Sequence, residues 1–398
     1  MKQTRRQMIG STAVAGAALV VGSSFARARA AGRPIVIGGT ISETGAYANS
    51  AKFQLRGYQY WVKQQNAKGG LLGRQLELKT YDDASDAANA VRLYQRLIDQ
   101  DHVDLIVGPY SSEVTASVAN VSQQHKMVMM GPGGSSPKIY SRGLTYIFQG
   151  IQQSPLYIKG PMEIAKEHGY KTIAVSGEDS LFPRSVVAGA AGYAKEMGMT
   201  IVFDQLYPHN ASDYTSIAQK IKEANPDVVL SACYLPDSIG LLRALKQANF
   251  APKILYEGVG PTEPNFGQQN GKDADGVMGT ANWSAELKTA GNAEFVKGFT
   301  ADFGTPPDYH AAAAFGGLEV LGAAITKVGS LDQDKLRDEL SVMTMRTIMG
   351  TYKVDKNGSQ VGYAAMVLQW KNGKQFVIYP KDEAQMTAMV PFPSWSTH

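Results

Sequence analysis

Leu76-Glu-Leu-Lys-Thr-Tyr81-Asp-Asp-Ala-Ser-Asp86-Ala-Ala-Asn-Ala-Val91-Arg-Leu-Tyr94-Gln-Arg-Leu-Ile98-Asp99-Gln-Asp-His-Val-Asp-Leu105-Ile-Val-Gly108 contains one complete unit of the fold. Leu76 to Tyr81 reads as a strand. From Asp86 to Asp99, Val91, Tyr94 and Ile98 recur at steps of three and four, which puts them on one face of a helix. Leu105-Ile-Val-Gly108 is a short, unbroken apolar run, the pattern of a strand buried on both faces. Two such strands bracketing a helix must be parallel, because only a crossover returns the chain to the same sheet edge, and the crossover is right-handed.

The same rhythm extends both ways. Upstream, Ile35-Val-Ile37 precedes a Gly/Thr/Ser loop and a helix from about Ala51 to Asn66, with Phe53, Tyr58, Trp61 and Val62 as packing residues. Downstream come helix Ser112 to Gln124, strand Met127 to Met130, helix Tyr157 to Glu167, strand Ile173 to Val175, helix Ser185 to Glu196 and strand Ile201 to Phe203. Helix Thr215 to Ala224, strand Val228 to Leu230, helix Ser238 to Ala248 and strand Ile254 to Tyr256 continue it. Strands alternating with helices of ~10–15 residues predict parallel sheets covered on both faces, and this many strands need more than one sheet. The tail departs from the pattern: Thr351 to Val354 and Ala364 to Trp370 read as short strands, with Asn357-Gly358 and Asn372-Gly373 as hairpin-type turns. Lys381 to His398 shows no period and reads as a loosely held end.

Composition supports an ordinary globular protein: 398 residues, 44% hydrophobic and 19% charged, with 41 Gly, 18 Pro and one Cys. At ~150 residues per domain the length suggests two or three domains. The formal charge of +4 is located at one end, since Lys2, Arg5, Arg6, Arg27 and Arg29 lie in the first thirty positions without an acid among them. Subtracting these five from the 39 basic residues leaves 34 against 35 acids, so the body offers no electrostatic case for nucleic acid. Residues 1–30 have the three parts of a secretory signal: a basic start, an apolar stretch from Met8 to Val21, and Ala28-Arg29-Ala30, with cleavage expected near Ala30. Thr4-Arg5-Arg6-Gln7-Met8-Ile9 resembles the twin-arginine export signal, although paired arginines serve the general export route equally by charge. The apolar stretch falls short of the ~20 residues of a membrane span, and no later segment is read as one. The single Cys233 lies at the end of the apolar run Asp227-Val-Val-Leu-Ser-Ala-Cys233. No intramolecular disulfide can form, and Cys233 reads as a small buried apolar residue rather than a nucleophile.

Catalytic and metal-binding patterns are lacking in the sequence. His102, His125, His168, His209, His310 and His398 are scattered, without zinc-site spacing. Gly267-Gln-Gln-Asn-Gly271-Lys272-Asp273 is one residue short of a phosphate loop and lacks its Ser or Thr. No cofactor and no metal is expected. What the sequence does offer is small, polar or aromatic residues just beyond strand ends, the edge at which open α/β sheets bind ligands. Ser111 and Ser112 follow Val107-Gly108, while Gly133, Gly134, Ser135 and Ser136 follow Met127 to Met130. Such stretches present N–H and hydroxyl donors that suit a carboxylate, though Ser112 and Ser135 read equally as helix N-caps and Gly133 as a turn residue. Tyr234 and Glu257 stand at equivalent places in the second half, where Glu257 alone reads as a solvated loop carboxylate.

Taken together, these stretches resemble the periplasmic solute-binding proteins of the branched-chain amino-acid and amide ABC importers. The markers run in order: Gly39-Thr-Ile-Ser-Glu-Thr-Gly45, Asn66-Ala-Lys-Gly-Gly70-Leu-Leu-Gly73-Arg74, Tyr81-Asp-Asp-Ala-Ser85-Asp86 and Val107-Gly-Pro-Tyr110-Ser-Ser112. Pro132-Gly-Gly-Ser-Ser-Pro137, Asn225-Pro-Asp227, Leu242-Arg-Ala244 and Glu257-Gly-Val-Gly260 follow. The resemblance implies the type I periplasmic binding fold: α/β, two Rossmann-like lobes with parallel sheets, joined by a three-crossing hinge, with the ligand in the cleft between them. Lobe 1 would comprise residues 31–151 and 282–350, lobe 2 residues 152–281 and 351–380, and 381–398 the tail, with hinges near Gly150, Ala281 and Gly350. It also implies no catalysis, a soluble periplasmic monomer, and ABC importer membrane permease subunits as partners.

By the same resemblance, Ser112 and Ser135, with backbone at Tyr110, Ser111 and Gly133, would hold a ligand α-carboxylate, and Glu257 and Tyr234 would receive its ammonium. Phe182 stands where the family often has Tyr, and Tyr110 where branched-chain binders carry an aliphatic residue. Tyr47, Ser50 and Phe315 would line the side-chain pocket. An aromatic cleft can stack on a flat acid or a cation as well as on leucine, so three readings stand beside an amino acid or amide receptor. They are a receptor for aromatic or other small carboxylates, an exported two-lobe enzyme, and a sensor domain of a receptor or regulator.

Overall fold

The computed structural model describes residues 32–209 and 211–397; the leader read at residues 1–30 lies outside them. β1 (Ile35–Ile41) leads into α1 (Ala48–Ala67), and β2 (Leu76–Asp82), α2 (Ala87–Asp99) and β3 (Leu105–Val107) follow as the opening stretch predicts. α3 (Ser112–His125), β4 (Met129–Gly131), the single-turn α4 (Pro137–Tyr140) and β5 (Ile147–Gln149) complete the first unit. Its sheet has the order β2-β1-β3-β4-β5, with every pairing parallel. α2 starts where it does because Asp86 accepts the Asn89 N–H at 2.6 Å, a side-chain cap for an otherwise unpaired donor. From the apolar face of α2, the Tyr94 hydroxyl donates to the Val107 carbonyl and fixes the helix over β3.

The second lobe repeats the plan. α5 (Lys159–Glu167), β6 (Thr172–Glu178), α6 (Leu181–Met197), β7 (Thr200–Tyr207), α7 (Thr215–Ala224) and β8 (Val228–Ala232) are followed by α8 (Leu235–Gln247), β9 (Ile254–Tyr256), α9 (Pro264–Asn270) and β10 (Met278–Ala281). The chain then returns to lobe 1 with α10 (Asn292–Phe303), α11 (Tyr309–Val328), α12 (Gln333–Val342) and the small hairpin β11 (Met345–Thr347) with β12 (Gly350–Tyr352). β13 (Met366–Lys371) and β14 (Lys374–Tyr379) come back to lobe 2, whose sheet order is β14-β13-β10-β9-β8-β6-β7. From β7 to β10 that order matches lobe 1, with parallel pairings throughout; β13 and β14 add an antiparallel edge. Asn372 and Gly373, both at positive φ (52° and 72°), close the last hairpin as a two-residue turn of the kind the sequence predicts.

Three expectations are corrected. The third crossing does not fall at Gly350: β12 stays in lobe 1, where Tyr352 Oη donates to the Leu340 carbonyl at 3.0 Å. The chain stays on β5 through Gln360, since Gln149 N–H donates to the Gly358 carbonyl (2.8 Å) and Gln360 N–H to Gln149 Oε1 (3.1 Å). The crossing lies at residues 361–365, and Asn357-Gly358 turns the chain within lobe 1, bridging Val354 to Gln360. Nor is the tail loose. Phe392 is buried and its N–H donates to the Lys253 carbonyl at 2.8 Å, while Met389 N–H donates to Gln369 Oε1 at 2.7 Å. Finally, α11 is long and apolar enough to span a membrane, yet most of it is buried in lobe 1, and that burial explains its composition.

The crossings are joined by side chains that a linear reading could not pair. Asn282 Oδ1 accepts the Gln152 N–H (2.9 Å), and Asn282 Nδ2 donates to Tyr157 Oη (2.7 Å). Gln152 Oε1 accepts the Ala365 N–H (2.8 Å), and Tyr363 Oη donates to the Gly150 carbonyl (2.9 Å).

Candidate functional site

In a sheet of this order, ligands bind in the crevice at the carboxyl ends of the strands, where the winding direction reverses. The loops after β3 and β4 in lobe 1, and after β8 and β9 in lobe 2, enclose a small interlobe cavity. Lobe 1 contributes Tyr110, Ser111, Pro132, Gly133, Ser135, Tyr309 and His310; lobe 2 contributes Tyr157, Phe182, Tyr234 and Val259, and Ile151 lies at the first crossing.

On the lobe 1 side the polar groups are tightly organised. Ser111, not Ser112, is the N-cap of α3: its Oγ accepts the Val114 N–H at 3.2 Å, and its backbone takes a positive φ of 72°. Ser112 is buried behind the cavity, where its Oγ accepts the N–H groups of Ser135 and Ser136, both at 3.1 Å. One hydroxyl therefore fixes the β4 loop against the start of α3. The positive end of a helix of fourteen residues faces this corner, which suits an anion.

On the lobe 2 side the acids stand out. Glu257 is fully buried, and neither of its carboxylate oxygens has a hydrogen-bond partner. It is not among the residues that line the cavity, although Val259, two positions on, is. Gly258 holds it there: its φ of +63° and a Cβ position only 2.6 Å from the Cys233 nitrogen allow no side chain where the β9 loop crosses the β8 loop. Burial pushes the Glu257 carboxyl well above the usual carboxylate range, and the charge of Asp237 adds to the effect. Burial, with the charge of Glu178 behind it, also lifts Asp237 to about 6, although Tyr214 Oη donates to it at 2.8 Å. Glu178 pairs with His209 Nδ1 at 2.9 Å and accepts from Ser180 Oγ at 2.6 Å. Cys233 is buried as expected, its thiol pushed up by burial.

Aromatic rings close the cleft. Tyr47 of lobe 1 lies 5.1 Å from Tyr234 of lobe 2 and 5.8 Å from Tyr110, and Phe182 lies 5.4 Å from Tyr234 (ring centroids). Ser50 bridges the lobes by donating to Glu263 Oε1 at 2.5 Å. Of the candidates, Ser112, Glu257, Tyr47 and Ser50 lie next to the lining residues without lining the cavity, whereas Phe315 is away from it: its ring packs on Phe295 (4.8 Å) and Tyr60 (5.7 Å), beyond the helix start of α11 that meets the cleft. The resemblance placed it in the side-chain pocket, but it lies five residues beyond His310 on α11, which points its side chain to the other side of the helix.

Linear reading missed Tyr157, Tyr309, His310, Glu263 and Glu178. For Tyr309 and His310 a signal was present: Asp308 before an apolar run is an N-cap pattern, and Asp308 Oδ1 accepts the N–H groups of His310 and Ala311, both at 3.0 Å. The others become neighbours only through the closing of two lobes.

The model of the family described as periplasmic binding protein matches residues 34–375. The Leu/Ile/Val-binding protein homolog 7 of Brucella suis biovar 1 (strain 1330) is 28% identical over 396 residues, covering 94% of this chain and 98% of that protein. Two solved structures share the fold. The branched-chain amino acid transporter substrate binding protein LivJ from Streptococcus pneumoniae, in complex with isoleucine, superposes with a TM-score of 0.79 at 21% identity, covering 90% of this chain and all of that one. A solute binding protein of an ABC transporter from R. palustris, in complex with benzoate, gives 0.78 at 19% identity, covering 87% and 95%. With the twice-repeated strand order and a cavity between the lobes, this match over most of the length means that the chain belongs to the periplasmic binding protein family.

Proposed function

We propose that the protein is the substrate-binding component of an ABC importer, which captures an amino acid or related amide between its lobes and delivers it to the membrane permease subunits. The observation that carries the reading is the contrast between the lobes: a donor-rich helix start on lobe 1, and after β9 of lobe 2 a buried carboxyl without a partner, two residues before the cavity-lining Val259. A zwitterion requires one of each, because an unpaired buried charge costs several kcal/mol. In this reading Ser111, Gly133 and Ser135 hold the α-carboxylate, Glu257 with Tyr234 takes the ammonium, and the Tyr47, Tyr110 and Phe182 rings enclose the side chain. Only the closed form joins both ends, so ligand selects closure. The names of the Brucella relatives and the isoleucine bound to LivJ support the class of ligand. Ligand leaves as it entered, since a binding protein needs no turnover, and an exported, periplasmic location follows from the leader and the family.

A second reading has one observation in its favour: five aromatic rings, those of Tyr110, Tyr157, Phe182, Tyr234 and Tyr309, line the space, with Tyr47 packed behind Tyr110 and Tyr234, and they suit a flat aromatic acid. The R. palustris relative in complex with benzoate has the same fold. A thermal-shift panel on refolded mature protein separates the two readings by comparing the twenty amino acids and their amides with benzoate-type acids. At about 100 times Kd a cognate ligand adds roughly 2.7 kcal/mol, a rise of several degrees in Tm. A rise confined to amino acids supports the zwitterion site; one confined to aromatic acids overturns the role of Glu257 and keeps the receptor.

A further inference from the structure

Glu263 is a second buried acid of lobe 2, outside the set of residues that the zwitterion reading uses. It is 1% exposed and stands at the start of α9, on the chain that runs on from the Glu257 loop. Oε1 accepts the hydroxyl of Ser50 on α1 of lobe 1, while Oε2 has no partner. No Lys or Arg forms an ion pair with it among the described residues. The groups whose charge bears on it, or which feel its own, are all from lobe 1: Asp308, Tyr309 and His310 at the start of α11, and Tyr110 after β3. His310 makes no direct ion pair with it, because its Nδ1 lies 2.8 Å from Asp308 Oδ2 and its Nε2 lies 3.2 Å from Tyr110 Oη; it acts on Glu263 only through its charge.

We propose that Glu263 is a proton-coupled closing residue: its carboxyl fastens the two lobes through Ser50 only when the cleft is shut, and it takes up a proton as the cleft shuts. The inference rests on the reading of the cavity as a ligand cleft that opens and closes. The physical case is one of desolvation. A carboxylate enclosed with one hydroxyl donor, an idle oxygen and a neighbouring Asp is held in its neutral form. Burial accordingly lifts Glu263 to about 7, with the charge of His310 and the Ser50 hydrogen bond opposing and the charge of Asp308 adding. In the open form the carboxyl meets water and returns to its ordinary value of 4.5. The sign follows from linkage: the closed form binds more protons, so lowering the pH favours closure, with full effect below the open-form value and none above about 7. Between pH 8 and pH 6 closure, and with it ligand affinity, gains about tenfold from this group.

The test uses full-length mature protein and two readouts. Leucine binding is titrated by calorimetry at pH 6, 7 and 8, at pH 6.5 in two buffers of different ionisation enthalpy, for wild type and Glu263→Gln. The amide keeps an acceptor for Ser50 but cannot titrate. The wild type is expected to take up a proton on binding and to gain about tenfold in affinity relative to the variant between pH 8 and 6. Asp237 and Glu257 titrate in both proteins, so the difference between them isolates Glu263. Without ligand, spin labels at Lys52→Cys on lobe 1 and Gln268→Cys on lobe 2 report the interlobe distance. It is expected to shorten as the pH falls in the Glu263 protein and to stay constant in Glu263→Gln. Identical pH profiles in both readouts overturn the proposal. Absence of leucine binding at every pH sinks the amino-acid reading instead, and the spin-label arm still decides the role of Glu263.

Discussion

The two walls of the cleft solve the same problem in opposite ways. Lobe 1 presents polar groups that are already paired with one another: Ser111 caps α3, and Ser112 holds the N–H groups of Ser135 and Ser136. Lobe 2 holds carboxyls that wait for a partner, Glu257 with two idle oxygens and Glu263 with one. The first wall is a rigid template whose cost is met at folding. The second stores unfavourable desolvation that, in the proposed reading, a ligand or a proton relieves.

The comparison breaks most visibly at Glu257. Glu257→Gln is predicted to lower amino-acid affinity on the order of 100-fold by calorimetry, because an ammonium loses the one buried carboxylate proposed to pair with it. It should leave affinity for an amine-free acid unaltered; an equal loss for both would place Glu257 in the scaffold. A smaller and less selective effect is expected at Ser112→Ala, which leaves two N–H groups without an acceptor. Urea unfolding should show a loss of about 1–3 kcal/mol, and every ligand should weaken alike. Unchanged stability would mean that the β4 loop is held by other contacts. The smallest effect sharpens the boundary of the site: Phe315→Leu should cost about 1 kcal/mol in the packing of Phe295 and Tyr60, with Kd within twofold of wild type. A large change in Kd would return Phe315 to the ligand.

Much of the architecture was legible because periodicity is local. The stretch from Leu76 to Gly108 contains its own strands, helix and cap, and Asp86 sits where a cap residue should. The donor corner was legible too, since Tyr110 to Ser112 and Gly133 to Ser135 follow strands directly. What escaped depends on contacts between distant segments. β5 is three residues long and joins the sheet only through its pairing with β4. The resemblance placed a hinge near Gly350, but its positive φ serves the β11–β12 hairpin. Ser50 and Glu263 lie 213 positions apart, and nothing local in either marks the bond between them.

The interleaving of the lobes has a consequence for how the polypeptide is made. Lobe 2 receives β13 and β14 only after α10 to β12 have been sent back to lobe 1, and the segment around Phe392 then seals against Lys253. A growing chain thus has lobe 1 complete only after β12, and lobe 2 only when nearly its last residues are synthesised. Until then the backbone of β10 presents the open edge that β13 later covers, a surface prone to aggregation. Assembly of lobe 2 is a whole-chain event, and a stop codon ahead of Met366 would leave lobe 1 with all its elements but lobe 2 without β13, β14 and the Phe392 segment.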